Sequence, residues 1–589
     1  MDDAPSITRT RRGVLASAAG IATGALAGCS ERLWSRAENS GPEQVELTIK
    51  TLPTEDDEIA AMIMSQFREN LRRAGIAVSH EPVNEADLYR SVLLEGDYDV
   101  FIARHPGLDE YDALRGLLHS QYANERGWQN PFHFTDVTVD DHLERQRTTR
   151  GTERREVLGD LFEYLGETPP YTTVGFPNRI GGVHDAVAAS VPPRRPLDYV
   201  ELLSREPEDG PREGPLTVGI YGGGLGERLN PIVVDRNRVP GLLGLLYDPL
   251  ARRRNTRLTN AADGYVPWIA ETITWTESDS LEATVTLREG LTWHDETDFD
   301  ADDVAFTYRF LQDTSMGEVE GGVPAPRYRD RQTLVETVEA VGDRTVRFAF
   351  GDTTRSAAAR VFAVPILPQH IWEPRSAIVA EHQPEALVTD NVEAMGSGLF
   401  QLHAVTDDGI ELEPFADHVL RDETTDRPGV LEGFSQFDGL TYQIEPNPGS
   451  MIESLRNGEI DITGSPVPPS ELEGIRSGEE TSILTGRTNA FYMIGFNSSQ
   501  HPDLGNPNFR RILARLIDRE HAVREFFDGH GEPATEFSSL LGVRNEEWTF
   551  DDRAAVSIFP GSDGKIDADR VHTLFEDAGY RYEDGALLG

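Results

Sequence analysis

Residues 47–52 place apolar side chains on alternate positions, Leu47 and Ile49 with Thr51 on the same face, which is the period of a β-strand. The period then changes. From 58 to 74, Ile59, Met62, Ile63, Phe67 and Leu71 recur three or four residues apart, the stripe of an amphipathic helix, and Gly75 supplies its stop. Residues 76–78 open a second strand, and residues 98–102, after Gly96-Asp97, a third. This strand–helix–strand rhythm predicts an α/β domain. Residues 204–215 (SREPEDGPREGP) carry charge, proline and glycine with no apolar period, and predict a linker. Beyond it, residues 216–220 read as a strand followed by three glycines, and Ala283, Val285 and Leu287 alternate with polar neighbours in another. Ala301-Asp302-Asp303 opens a helix bearing Val304, Ala305, Tyr308 and Leu311, its acids placed where exposed amides and the helix dipole favour them. Pro507 suits a first helical turn, with Phe509, Ile512, Leu513, Leu516 and Ile517 following on one face.

At 589 residues the chain exceeds one ordinary core, so two or three domains are expected. Acidic residues number 101 against 55 basic ones, a formal charge of −46, and lysine occurs only at Lys50 and Lys565. Such a surface repels nucleic acid and anionic membrane, so neither is expected as a partner. The same balance is that of a salt-adapted, halophilic protein, because molar salt shortens the screening length to about 3 Å and mutes self-repulsion.

The first 29 residues read as an address. Arg11 and Arg12 precede an uncharged run, residues 13–28, shorter than the ~20 apolar residues needed to span a bilayer, which ends in Leu26-Ala27-Gly28-Cys29. The twin arginines resemble a Tat export signal, and LAGC resembles a lipobox that would lipidate Cys29. Cys29 is the only cysteine, which excludes an intrachain disulfide and, since it sits in the signal region, thiol catalysis in the mature core. Residues 30–44 then form a polar tether.

Catalytic and metal motifs are missing. The fifteen histidines form no HExxH, there is no GxSxG elbow or P-loop, and the glycines at 222–224 lack the Lys-Ser/Thr of a phosphate loop. His294-Asp295 has the residue types of a catalytic or metal pair, but a structural turn is expected there. No cofactor, no metal and no enzymatic activity are expected.

The run from 283 to 311, ATVTLREGLTWHDETDFDADDVAFTYRFL, closely resembles the signature of family 5 peptide/nickel solute-binding proteins of ABC importers, with Glu296 and Asp298 where the family has Gly and Pro. Further matches follow in family order: LLYDPL from 245, LPQHI from 367, GSGLF from 396, GEIDI from 458, Phe496-Asn497, and a helix over 510–518. Residues 567–585 resemble the family's "lid" helix and AGY turn, while the block that should follow them stands at the front, from 47 to 100, continuing through 140–170. The resemblance therefore implies a two-lobed periplasmic-binding-protein-like α/β fold (type II, with an extra subdomain), circularly permuted.

The implied boundaries are an export signal at 1–29, a tether at 30–44, and the first part of lobe II at 45–178. The chain returns to lobe I at 179–203, with a linker at 204–214. Lobe I occupies 215–258, its extra subdomain 259–375, lobe I again 376–487, and the second part of lobe II 488–589. Under this arrangement the strand near Leu47 shares a domain with residues 491–496 and the helix near Leu574.

The resemblance also implies a ligand site between the lobes. Asp109 best matches the aspartate that tethers a peptide's α-amino group, as a charge-assisted hydrogen bond. Pro106 stands where the family often has tryptophan, and a solvated loop residue or helix cap is the alternative for Asp109. Main-chain contacts from His105 and Gly107 are expected, with Val239 from the opposite lobe, and Tyr492 lining either the cleft or the core. The implied partners are a di- or oligopeptide and ABC permease subunits, with a monomer held on the outer face of the membrane by its lipid anchor alone. A nickel complex, a sugar, a sensor role and, less favoured, an exported hydrolase stay open, since fold does not fix ligand.

Overall fold

The computed structural model describes residues 43–108, 110–125, 129–204, 214–222, 224–233, 239–253, 264–277, 280–380, 383–432, 434, 439–543 and 558–589. Arg11, Arg12, Cys29, Asp109 and linker residues 205–213 lie outside the described residues.

One lobe is built on a six-stranded sheet in the order Ala77–Pro82, Glu46–Thr51, Val100–His105, Phe491–Phe496, Tyr171–Pro177, Gly531–Pro533. The three N-terminal strands run parallel, and Phe491–Phe496 lies antiparallel between Val100–His105 and Tyr171–Pro177. An independent front domain would leave this junction unpaired, yet the register runs unbroken from Phe491↔His105 to Phe496↔Val100. Asn497 locks the end of the junction, its Nδ2 donating to the carbonyls of Gly96 (2.9 Å) and Tyr98 (3.0 Å). One face of the sheet packs Leu47, Ile49, Ile63, Phe67 and Leu71 against Ile494, Phe509 and Phe575; the other packs Phe101, Leu158 and Phe162 against Phe491 and Met493. Each such fully buried side chain contributes about 1.5–3 kcal/mol, so both ends of the chain stabilise one lobe.

The helix after the first strand is Glu58–Arg73, capped by the Asp57 carboxylate on the Ala60 amide. Its buried face is Ala60, Ile63, Met64, Phe67, Asn70 and Leu71, so the stripe is turned from the expected one: Met64 goes inward and Ile59 and Met62 flank at half burial. A second correction falls at Pro507. That helix ends at Leu513, and Leu516 and Ile517 are fully buried beyond it, because Asp518 instead caps the next short helix on the His521 amide. The expected helix over 510–518 therefore stops at Leu513, and a turn leads to the short helix Arg519–His521.

The other lobe carries a seven-stranded sheet in the order Phe400–Val405, Gly409–Pro414, Leu440–Glu445, Leu216–Tyr221, Ile462–Thr463, Arg179–His184, Thr481–Gly486. A four-stranded sheet, Val335–Gly342, Thr345–Phe350, Leu281–Leu287 and Ala270–Glu277, packs with the Ala301–Gln312 helix into the same hydrophobic core. That helix begins as its acids predict, with Asp300 and Asp303 in a reciprocal capping box.

The lobes are joined by a two-stranded ribbon. Tyr171–Pro177 passes through Asn178 into Arg179–His184, and Thr481–Gly486 passes through residues 487–490 into Phe491–Phe496. The two crossings are antiparallel partners on either side of the joint, at Gly486↔Arg179 in one sheet and Tyr492↔Gly175 in the other. Such a ribbon bends about one narrow line, which is the geometry of a hinge. Among the described residues no helix is long and apolar enough to cross a membrane.

Candidate functional site

Side chains from both lobes come within electrostatic reach of one another beside this hinge. Asp57 Oδ1 accepts from the Ala60 amide and from the Tyr492 hydroxyl, both at 2.9 Å. Burial pushes the Asp57 carboxyl up, against those hydrogen bonds and the nearby Arg104 charge. From the other lobe, Tyr221 donates its hydroxyl to the Pro466 carbonyl at 2.9 Å. Burial raises its phenol too, while Arg194 of its own lobe and Arg104 of the opposite one act against that, so charges from the two lobes converge on one side chain. Burial lowers the Arg194 guanidinium to about 10, with Arg104 and Arg179 pushing the same way.

The expected ligand residues are placed unevenly. His105 stacks on Phe491 with ring centroids 4.7 Å apart, and its Nδ1 accepts from the Gly107 amide at 3.0 Å. Gly107 has φ +110°, and a Cβ there would lie 2.7 Å from the Asn489 main chain, so this turn is pressed against the hinge crossing. Tyr492 is buried at 4% exposure within the core and faces Asp57. Val239 is also buried and lines a cavity of about 400 Å³ in the other lobe. The walls of that cavity come from residues 194–197, 226–253 and the 327–365 region, and include six arginines.

A second set of groups bridges the lobes, and no pattern in the sequence marks it. Asp112 is fully buried and takes hydrogen bonds from Gln146 and, twice, from Arg147 of its own lobe, and from Arg360 Nη1 (2.9 Å) of the opposite one. Arg329 grips Glu125 through two bonds of 3.0 Å, and Tyr122 and Thr333 share a hydroxyl contact at 3.2 Å. These contacts hold the lobes together.

His294-Asp295 belongs to a structural knot in which several of the family-like motifs meet. His294 Nδ1 accepts from the Gly396 amide (3.2 Å) and its Nε2 faces the Gly398 carbonyl (3.2 Å), which fixes the neutral, Nε2-protonated ring. Gly396 and Gly398 must be glycine here, since a Cβ would stand 2.1 and 2.0 Å from the Leu246 and Leu245 carbonyl oxygens. Asp295 meets His370 at 3.0 Å, and Asp248 is held by Arg252 (2.7 Å), Trp268 (2.8 Å) and His418 (2.7 Å). Among the described residues no group of three or more His, Cys, Asp or Glu is arranged to hold a metal.

The knot predicts a pH response. Burial lowers His294 from its ordinary 6.5 to about 4, outweighing the Gly398 carbonyl and the Asp248 charge. The folded state resists protonation, so its stability is complete above pH 6.5 and is lost as pH falls from there to about 4. At about 1.4 kcal/mol per pH unit the loss reaches about 3 kcal/mol. Denaturation midpoints across this range are expected to fall less steeply in His294→Gln than in the natural protein; parallel curves would refute the buried neutral ring.

Comparison with known proteins places this architecture. A putative binding protein of Brucella suis is 25% identical over 432 residues, covering 67% of this chain and 65% of its own length. A probable di/tripeptide-binding protein of Pseudomonas aeruginosa is 26% identical over 282 residues, 46% of this chain and 50% of that protein. The chain thus spans about two thirds or less of the curated relatives it matches. Among solved structures, the oligopeptide-binding protein AppA of Bacillus subtilis with a nonapeptide is 20% identical with a TM-score of 0.44, covering 64% of this chain and 66% of that one. NikZ of Campylobacter jejuni with Ni(L-His) is 16% identical with a TM-score of 0.44, covering 64% and 65%. The family model described as bacterial extracellular solute-binding proteins, family 5 Middle, matches residues 264–588, more than half the chain. By that match, and in keeping with its motifs, the chain belongs to the family 5 extracellular solute-binding proteins.

Proposed function

We propose that this protein is the capture component of an ABC importer, closing its two lobes on a peptide and handing it to permease subunits, with no chemistry performed on the ligand. The observation that carries the reading is the two-stranded hinge, beside which Asp57, Arg104 and Tyr492 of one lobe lie within electrostatic reach of Arg194 or Tyr221 of the other. Family membership supports it, and so does the likeness to a probable di/tripeptide-binding protein of Pseudomonas aeruginosa. In this reading Asp109 tethers the peptide's amino end, His105 and Gly107 offer main-chain groups beside the hinge, and Val239 contributes from the opposite lobe. The protein works as a monomer in high salt, exported by the Tat route and held outside the membrane by lipid on Cys29.

The order of its parts is a circular permutation, with residues 45–178 and 488–589 forming lobe II and residues 179–487 forming lobe I. The shared sheet supports this, since a reordered chain needs its old ends close together and its new ones in an exposed loop.

Peptides are expected to raise the thermal midpoint of the full chain in molar salt, by about 2.7 kcal/mol of stabilisation at a hundredfold excess over Kd. Solute released from the natively purified protein should be peptide by mass spectrometry. Cleavage of an added peptide library would point to the hydrolase instead. A released sugar or nickel complex, with no peptide response, would redirect the ligand assignment.

A further inference from the structure

We propose that the cavity beside Arg194 and Arg327 receives a negatively charged side group of the captured solute, a side-chain carboxylate or a phosphate; this rests on the solute-binding reading and specifies its ligand class. Acids outnumber bases by 101 to 55 in the chain, yet the lining includes Arg194, Arg195, Arg228, Arg252, Arg253 and Arg327, and no Asp or Glu among its described residues. Some of this charge is already answered from behind the wall. Arg252 bonds Asp248 at 2.7 Å, Arg228 meets Asp390 at 3.2 Å, and Arg195 lies 3.6 Å from Asp198.

Arg194 and Arg327 differ. Arg194 Nη1 donates to the Pro193 carbonyl (2.9 Å) and to the Gly464 carbonyl, while its buried Nη2 makes no hydrogen bond. Arg327 Nη1 donates to the Pro231 carbonyl (3.1 Å), and its guanidinium lies 5.5 Å from the Tyr328 ring centroid. Neutral carbonyls and a ring hold both groups in place without cancelling their charge. A buried cation without a counter-charge is costly, and an arriving anion removes that cost through charge-assisted bonds.

Local structure fixes the pair. Pro192, Pro193 and Pro196 restrict the backbone around Arg194, and Arg327 sits in the short 3₁₀ turn Pro326–Tyr328. Val239, Leu242 and Leu243 supply an apolar flank, and about 400 Å³ lies within the range of small-molecule sites. Every described lining residue belongs to the same lobe with its packed subdomain, so the site exists before the lobes close. Arg104 of the opposite lobe lies within electrostatic reach of Arg194, so an anion held there attracts both halves.

Calorimetric titration of the full chain with triglutamate, trialanine and inorganic phosphate, at matched ionic strength, tests the assignment. Triglutamate is expected to bind at least tenfold more tightly than trialanine, with that ratio falling toward one in the Arg194→Gln/Arg327→Gln variant. The Arg194→Lys/Arg327→Lys variant, which keeps the charge, should retain most of it. Binding of phosphate without triglutamate would support the anion site and point to a phosphorylated solute. Equal affinity for trialanine and triglutamate in the natural protein would overturn the anion assignment while leaving solute capture intact, and this comparison decides even if the variants fail to fold. Silence from all three probes, with no solute released from the native protein, would overturn both.

Discussion

Asp112→Asn is expected to cost about 3–5 kcal/mol of stability, the usual result of removing one partner from a buried ion pair. Asp112 is completely buried, and its two oxygens take four hydrogen bonds: Oδ1 from Gln146 (2.9 Å) and Arg147 Nε (2.8 Å), Oδ2 from Arg147 Nη2 (2.8 Å) and Arg360 Nη1 (2.9 Å). Burial alone would push this carboxyl up; the Arg147 charge and bonds, then Arg360, hold it well below the usual carboxylate range. Asparagine is nearly the same shape but neutral, so Arg147 loses the carboxylate it grips and Arg360 is left with Asp330 alone.

The variants of this site separate lobe stability from lobe closure. Arg147 and Gln146 belong to the same lobe as Asp112, whereas Arg360 arrives from the other one. Arg360→Gln is therefore expected to leave the denaturation midpoint nearer that of the natural protein while increasing the radius of gyration of the unliganded chain in X-ray scattering. An Asp112→Asn midpoint within about 0.5 kcal/mol of the natural one, the range of ordinary surface changes, would mean this network does not bind the lobes as described.

Periodicity was readable wherever one face of an element is buried and the other is wet. Leu281–Leu287 buries every second residue, and Val304, Ala305, Tyr308 and Leu311 all point inward from the Ala301–Gln312 helix. The junction of Val100–His105 with Phe491–Phe496 was legible too, but only through the resemblance of both ends to one family; nothing in either strand alone names its partner. Asp112 and Arg360 stand 248 positions apart, and a single aspartate in an acidic chain carries no mark of burial. The arginines of the cavity were hidden in the same way. They are spread from 194 to 327, and as composition they read as salt adaptation; only folding gathers them on one wall. Tyr492 shows the opposite limit, for an aromatic at an alternating strand position fits core and cleft equally well, and here it is buried with its hydroxyl on Asp57.

Asn70 follows the same logic in reverse, and its replacement carries the other large expected effect. A polar residue on the helix that packs against the first sheet, it falls outside any count of apolar positions, yet it is completely buried. Its Nδ2 donates to the carbonyls of Leu516 (2.9 Å) and Gly564 (3.0 Å), and its Oδ1 accepts from the Ile566 amide (3.2 Å). One amide thus satisfies three main-chain groups that arrive 446, 494 and 496 residues later in sequence. Asn70→Leu keeps the bulk and removes every bond, leaving two carbonyls and an N–H buried without partners at about 1–3 kcal/mol each. A loss of at least about 3 kcal/mol is expected, together with faster hydrogen exchange at the Ile566 amide, because that proton loses its acceptor. A front segment folded as a separate body would tolerate leucine here and leave exchange at 566 unchanged. Protection lost at a site 496 positions from the substitution is therefore the direct solution signature of two chain ends sharing one lobe.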